Sequence, residues 1–215
     1  QWIDEDVRTH IHKRIFSTDD FPLACAIAAK VSRRRNWTYA VTKYKFSHFL
    51  YSVYSDDLEP WRAPHLPVSS FPGDHLHFCH AIIAAYSVVE DLKLTLQASA
   101  KRESKINGEW NPLVKDDLEA RLTKSGVNLK EPILWTVRGP KRSIERHRAI
   151  PNGTRMPWAG WTVRDIDMPI IDAIAYAEWL RSCVASHGVK RLTRSLSPYD
   201  VVNVQHLARR LLLES

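Results

Sequence analysis

The spacing of apolar residues limits the fold of this chain more than any other feature of its sequence. In three long stretches, apolar side chains recur every three or four positions, which gives one apolar stripe along an α-helix. The stretches are residues 75–97, 168–187 and 198–213. Asp74, Asp167 and Ser197 precede them, and side-chain oxygens favour the position just before a helix. We therefore predict three amphipathic helices that pack together through these stripes.

Two further segments, 21–32 and 37–54, have helical patterns as well. In the second segment, Phe46 and Phe49 widen the apolar arc that we expect to face the core. Together with the three longer stretches, these segments predict a mainly α protein. We expect residues 1–215 to form a single helical bundle of about five to seven helices.

Residues 98–162 differ from the rest of the chain, and we interpret them as an insertion or subdomain with a small β-hairpin. Asn107-Gly108 suits the tight turn of a hairpin. Asn111-Pro112 favours a helix start, and Gly126 favours the end of that helix. Ile133–Val137 is typical of a short strand or a buried segment.

The charge balance favours a polyanionic partner. The chain has 31 Lys and Arg residues against 24 Asp and Glu residues, a formal net charge of +7. Such a surplus is typical of proteins that bind RNA or another polyanion. Three scattered cysteines do not suggest a disulfide framework, so we expect a reducing, cytoplasmic setting. We expect no membrane partner, because no apolar run approaches the roughly 18 residues of a spanning helix.

The sequence lacks a Gly-rich phosphate loop, a dinucleotide fingerprint, an HExxH motif and paired CxxC motifs. His77 and His80 share a helix face near His75, but no carboxylate follows at ligand spacing before Asp91. We therefore interpret the three histidines as surface residues at the start of a helix. Neither a metal nor another cofactor is predicted.

Two basic segments are candidates for binding phosphate groups. One is the run Arg33, Arg34 and Arg35, which precedes a segment where lysines alternate with aromatic residues. The other is the loop 138–155, whose candidate contacts are Lys141, Arg146 and Arg148. Cations hold phosphates, and exposed aromatic rings stack on bases. The alternative is that the rings belong to the core and the charges to an ordinary solvated face.

Two arginines precede a histidine at short spacing. Four residues separate Arg142 from His147, and five separate Arg181 from His187. Histidine can move protons while arginine stabilises a pentacovalent phosphorane, so such pairs suit RNA cleavage without a metal.

The helical pattern over about residues 20–97 and 163–214, with these pairs, resembles the HEPN superfamily. Many members of that family are metal-independent RNases that carry R-x(4–6)-H beside a helix in a symmetric dimer cleft. The resemblance implies a homodimer in which one of the two pairs is catalytic. Ser follows Arg142 and Arg181 here, where the family often has Asn or Asp.

The last predicted helix carries a polar stripe opposite its apolar one. Its members, spaced four, three and four residues apart, are Tyr199, Asn203, His206 and Arg210. A base, an amide and a cation in a row could bind a phosphate group, although a solvated helix face is the commoner explanation.

The sequence thus leads to one main hypothesis and one alternative about function. The main hypothesis is a helical nucleic-acid-binding protein that acts as a metal-independent RNase of HEPN type. The alternative is a helical protein-interaction module without enzymatic activity, whose basic loop 138–155 docks an acidic partner.

Overall fold

The computed structural model of this protein describes residues 25, 28–29, 31–32, 34–55, 72–99, 102–106, 109–138, 163–185, 196 and 198–215. Across these residues the fold is mainly α-helical, as predicted, with two small antiparallel sheets of two strands each. The helices are α1 Arg35–Ser55, α2 Pro72–Asp91, α3 Pro112–Lys124, α4 Ile170–Trp179 and α5 Pro198–Glu214. The strands are β1 Lys105–Ile106, β2 Glu109–Trp110, β3 Ile133–Arg138 and β4 Val163–Met168.

Helix α2 ends six residues earlier than its apolar periodicity predicts. Lys93 has a φ of 59°, its N–H donates to Glu90 O, and the Leu94 N–H donates to Val89 O. This pair of hydrogen bonds around a left-handed residue is the Schellman motif, which usually contains Gly. The prediction of a helix to residue 97 is therefore wrong, because Lys rather than Gly takes the left-handed position.

The start of α4 also differs from the prediction. Residues 163–168 form strand β4, which pairs with β3 in the register Ile133↔Met168 and Trp135↔Ile166. Alternate residues of a strand share one face, so Ile166 and Met168 both face the core in this conformation. The helix begins at Ile170, and six π-helical residues, Leu180–Ala185, continue it.

The elements predicted between residues 98 and 138 are confirmed. Strands β1 and β2 pair antiparallel across residues 107–108. Asn111 is the N-cap of α3, and its side chain accepts a hydrogen bond from the Leu113 N–H at 3.1 Å. Gly126 follows α3 with a φ of 94°, and a Cβ there would lie 2.9 Å from Glu214 O.

One apolar core joins helices α2, α4 and α5 to strand β3. In its centre the ring of Trp135 meets the ring of Tyr176 edge to face, with centroids 5.6 Å apart. Leu118 and Leu122 of α3 belong to the same cluster of buried residues. A second, smaller cluster joins α1 to α2 and α5, and its buried members are Trp37, Ala40, Val88, Ala208 and Leu212.

A buried amide fixes α5 to the small sheet. The Thr136 N–H donates to Asn203 Oδ1 at 2.9 Å, and Asn203 Nδ2 donates to Thr136 O at 2.7 Å. Asn203 is buried, so its amide takes the place of a neighbouring strand for one residue of β3.

We predict that Asn203→Ala lowers the free energy of unfolding by about 2–3 kcal/mol, because it leaves two backbone groups of Thr136 without their partner. Urea denaturation followed by circular dichroism measures this change. Asn36→Ala, at an exposed position of α1, is the matched control and should change stability by less than about 0.5 kcal/mol. Equal losses of unfolding free energy in the two variants would contradict a stabilising role for the Asn203 amide.

Candidate nucleic-acid interface

Helix α1 presents a row of exposed aromatic and basic side chains on its outer face. The members of this row, which we call the α1 outer face, are Arg35, Tyr39, Phe46 and Phe49, with Lys45 beside them. The spacings of four, seven and three residues bring the first four onto one side of the helix. Tyr39, Phe46 and Phe49 are 50%, 53% and 60% exposed, so their rings are accessible to a partner.

The side chains of the α1 outer face are arranged in pairs. The rings of Phe46 and Phe49 are nearly parallel, with an interplanar angle of 19° and centroids 6.3 Å apart. The Arg35 guanidinium lies 5.7 Å from the centroid of the Tyr39 ring, within the range of a cation–π contact. Flat rings and a planar cation thus lie next to each other on the surface.

The exposure of Phe46 and Phe49 corrects the prediction that they widen the buried arc of this helix. Ser47 is buried instead, although it is polar. Its hydroxyl donates to Ala81 O of α2 at 2.8 Å and accepts from Gln205 Nε2 of α5 at 3.0 Å. Because both hydrogen bonds are satisfied only in this orientation, α1 is rotated so that Phe46 and Phe49 face outward.

The charge on α1 has one sign. The sequence of the helix contains no Asp or Glu, whereas Arg35, Lys43 and Lys45 lie on it. Lys43 pairs with Asp91 of α2 at 2.8 Å, while Arg35 and Lys45 are exposed. The exposed cations therefore lie on the side of the helix that carries the exposed rings.

Helices α1 and α5 pack antiparallel, and this brings two histidines together. Near one end of the contact, Trp37 and Ala40 meet Ala208 and Leu212. At its middle, the hydrogen bond between Ser47 and Gln205 fixes the register. His48 and His206 are the next residues in each helix.

The residues near the two histidines are paired across the α1–α5 contact in the same antiparallel register. Burial raises the pKa of Tyr44 and that of Tyr51; across the contact, Arg209 opposes the first shift and Tyr199 adds to the second. The Tyr44 ring meets the His48 ring edge to face, with centroids 4.6 Å apart. The charge of His206 reaches His48, and that of Arg209 reaches His206, so we call His48 and His206 the histidine pair.

The interface disfavours the charged form of both imidazoles. Partial burial lowers the pKa of His48 and that of His206 below the ordinary value of 6.5. The positive charge of His206 further lowers the pKa of His48, and that of Arg209 further lowers the pKa of His206. Both side chains nevertheless remain exposed, so the histidine pair is accessible from solvent.

The polar stripe predicted on the last helix is divided between two environments. Arg210 donates to Pro132 O and Asn128 O at 2.9 and 2.8 Å, and it pairs with Glu214 at 2.9 Å. Like Asn203, it joins α5 to the chain around β3. Only Tyr199 and His206 face the contact with α1, so the stripe does not form a single phosphate site.

Most of the other predicted site residues lie outside the described residues. These are Arg33, Lys141, Arg142, Arg146, His147, Arg148 and His187. Arg34 is exposed just before α1. Arg181 lies in the π-helical segment, and its guanidinium pairs with the Glu90 carboxylate at 3.0 Å.

A small cavity of about 280 Å³ lies between α3 and the start of α4. Asp172 lines it and accepts hydrogen bonds from Trp110 Nε1 at 2.9 Å and from Lys105 Nζ at 3.3 Å. Lys105 also lies 4.8 Å from the centroid of the Trp110 ring. Because these groups satisfy one another, the cavity offers a ligand few unused polar contacts.

Comparisons with protein-family models, with curated proteins and with solved structures found no match to this chain. No group of three His, Cys, Asp or Glu side chains within the described residues could hold a metal ion. The helices in that part of the chain are all too short or too polar to cross a membrane.

We predict that the histidine pair makes stability depend on pH in one direction. Because both pKa values are lower in the folded protein, the unfolded chain binds more protons, and stability rises with pH. The stabilisation from keeping both histidines neutral is fully present above about pH 6.5. It is lost as the pH falls through the lowered pKa values.

The measurement is urea denaturation between about pH 5 and 7 of the wild type and of the double variant His48→Gln/His206→Gln. The stability of the wild type relative to this variant should increase with pH, whereas His80→Gln, at an exposed position of α2, should leave the profile unchanged. A difference that falls with rising pH would contradict the assignment.

Proposed function

We propose that this protein binds single-stranded RNA along the α1 outer face and acts as a metal-independent RNase. The observation that carries the proposal is the row of exposed rings and cations on a helix without acidic residues. Proteins that bind single strands combine a basic surface that follows the phosphates with aromatic rings on which bases stack. The α1 outer face has both components on one side of one helix.

A single strand fits this surface better than a duplex. Bases of a duplex are stacked inside it, whereas unpaired bases can lie on exposed rings such as Phe46 and Phe49. From Arg35 to Phe49 the helix rises by about 21 Å, so several nucleotides can lie along it. Arg35 and Lys45 would then contact phosphates along the strand.

The family resemblance supports the enzymatic part of the proposal through Arg181 and His187, or through Arg142 and His147. In the first pair, the guanidinium of Arg181 already binds the Glu90 carboxylate. A phosphate group would therefore have to compete with this ion pair. The second pair lies in the basic loop, outside the described residues.

The alternative function, a protein-interaction module, rests on a specific observation too. The stacked rings of Phe46 and Phe49 form an exposed apolar patch, and such patches also occur in protein interfaces. An acidic protein partner would use the same cations. A surface that serves an acidic protein partner has no need to bind RNA. Binding to single-stranded RNA therefore distinguishes the two functions.

We predict that Arg35→Gln/Lys45→Gln weakens binding to a labelled single-stranded RNA in fluorescence anisotropy. The plot of log affinity against log salt should become shallower by about 1.4, because each phosphate contact to a single strand contributes about 0.7 to the slope. Lys124→Gln/Lys130→Gln removes the same charge from exposed positions elsewhere and should leave the slope unchanged. Equal effects in the two double variants would contradict a site on α1.

We predict that Phe46→Ala and Phe49→Ala each lower RNA affinity by about 5- to 150-fold, because stacking contributes about 1–3 kcal/mol per base. Leu113→Ala, which removes an apolar side chain that is 68% exposed on α3, is the control and should bind like the wild type. Absence of any RNA binding at low salt would reject the proposal and favour the protein-interaction module.

A further inference from the structure

We propose that His48 and His206 are the acid–base pair of the RNA-cleaving site, at the α1–α5 interface beside the α1 outer face. This inference rests on the proposed function, because it requires an RNA strand bound along α1. It places the reaction at residues that the Arg–His spacing does not include. The proposal names the reaction as attack of a 2′-hydroxyl on the adjacent phosphodiester.

The position of the two histidines is fixed by contacts between neighbouring residues of α1 and α5. The buried hydrogen bond between Ser47 and Gln205, 3.0 Å long, joins the residues that immediately precede them. Trp37 and Leu212 pack in one cluster farther along the same contact. The interface therefore holds His48 and His206 in register without using either imidazole, and both remain open to solvent.

The site adjoins the proposed RNA surface. Lys45 is the residue before Phe46 and lies one helical turn before His48, so it sits between the α1 outer face and the histidine pair. Arg209 lies one turn beyond His206 on α5 and is exposed. A strand that stacks on Phe49, the residue after His48, can thus bring its phosphate between two imidazoles and two cations.

The groups present suffice for the reaction. A neutral imidazole accepts the proton of the 2′-hydroxyl, whose oxygen forms a bond to phosphorus. The bond from phosphorus to the 5′-oxygen breaks, and the imidazolium of the pair donates its proton to that oxygen. The Arg209 guanidinium stabilises the charge on the pentacovalent phosphorane. The products are a 2′,3′-cyclic phosphate and a 5′-hydroxyl, and the pair has exchanged one proton.

Positive charge on one imidazole disfavours protonation of the other, so both histidines of the pair are not protonated together. The charged or titratable groups nearest to the pair along the two helices are Tyr44, Lys45 and Tyr51 on α1 and Tyr199 and Arg209 on α5, and on α2 Asp91 is paired with Lys43. The pKa of each histidine lies below 6.5, and His206 lowers that of His48. We therefore expect a bell-shaped pH profile with its maximum on the acidic side of pH 6.5.

The test is cleavage of a labelled single-stranded RNA by the full chain in EDTA, with the products separated on a gel and their ends identified. Wild type should yield 2′,3′-cyclic phosphate and 5′-hydroxyl ends. His48→Gln and His206→Gln should each lower the rate by about 100-fold or more, the usual contribution of general acid–base catalysis. Each variant should also lose one limb of the pH profile, which a merely structural role would not change.

Two controls separate this inference from the proposed function. His80→Gln, at an exposed position of α2, should cleave like the wild type. The double variant His48→Gln/His206→Gln should still bind the RNA in anisotropy, because the rings and cations of the α1 outer face remain, but it should no longer cleave it.

RNA binding without cleavage by the wild type would overturn the inference and leave the proposed RNA binding standing. Cleavage that depends on added metal, or that is undiminished in both single variants, would overturn it as well. Absence of RNA binding would overturn both proposals.

Discussion

The hydroxyl of Ser47 determines how three helices face one another. It is buried, and a buried hydroxyl without partners would cost free energy of a few kcal/mol. It avoids this cost by donating to Ala81 O on α2 and accepting from Gln205 on α5. Both bonds can form only at one rotation of α1 and one register of α5. An apolar contact alone would tolerate several rotations, because α1 has apolar or aromatic residues around most of its circumference.

The two proposed functional surfaces follow from that single rotation. Residues 46, 47 and 48 are consecutive, so their side chains point about 100° apart around the helix. With Ser47 turned to the core, Phe46 points outward and His48 points to the side of α5. Phe49, which stacks on Phe46, follows His48 directly and points about 100° away from it, so the stacked rings adjoin the histidine pair through Phe49.

The parts of the fold that could be predicted are those whose local pattern agrees with their tertiary environment. The stripes of α2 and α5, the hairpin at residues 107–108 and the cap at Asn111 are of this kind. Strand β4 could not be predicted, because Ile166, four residues before Ile170, fits a helical stripe as well as the face of a strand. The choice depends on pairing with β3, about 30 residues earlier in the chain.

The candidate site was less predictable than the fold for the same physical reason. The histidine at position 206 could be noticed as part of a polar stripe, but the stripe did not indicate that Asn203 and Arg210 bind backbone groups around β3. The sequence pattern of α1 does not distinguish His48 as a site residue, because it lies among aromatic residues. Ser47 and Gln205, which bring the histidines together, are 158 positions apart, and no local pattern relates them.

The α1–α5 interface can carry two histidines because other residues hold it together. Trp37, Ala40, Ala208 and Leu212 supply its apolar contact, and Ser47 supplies its specific hydrogen bond. The imidazoles are thus partly buried without being needed for packing, which lowers the pKa of each while both residues stay exposed. A bound phosphate would reverse this balance, since a nearby anion favours imidazolium. The same environment that keeps the free histidines neutral therefore lets a polyanion bring a proton to the pair when it binds.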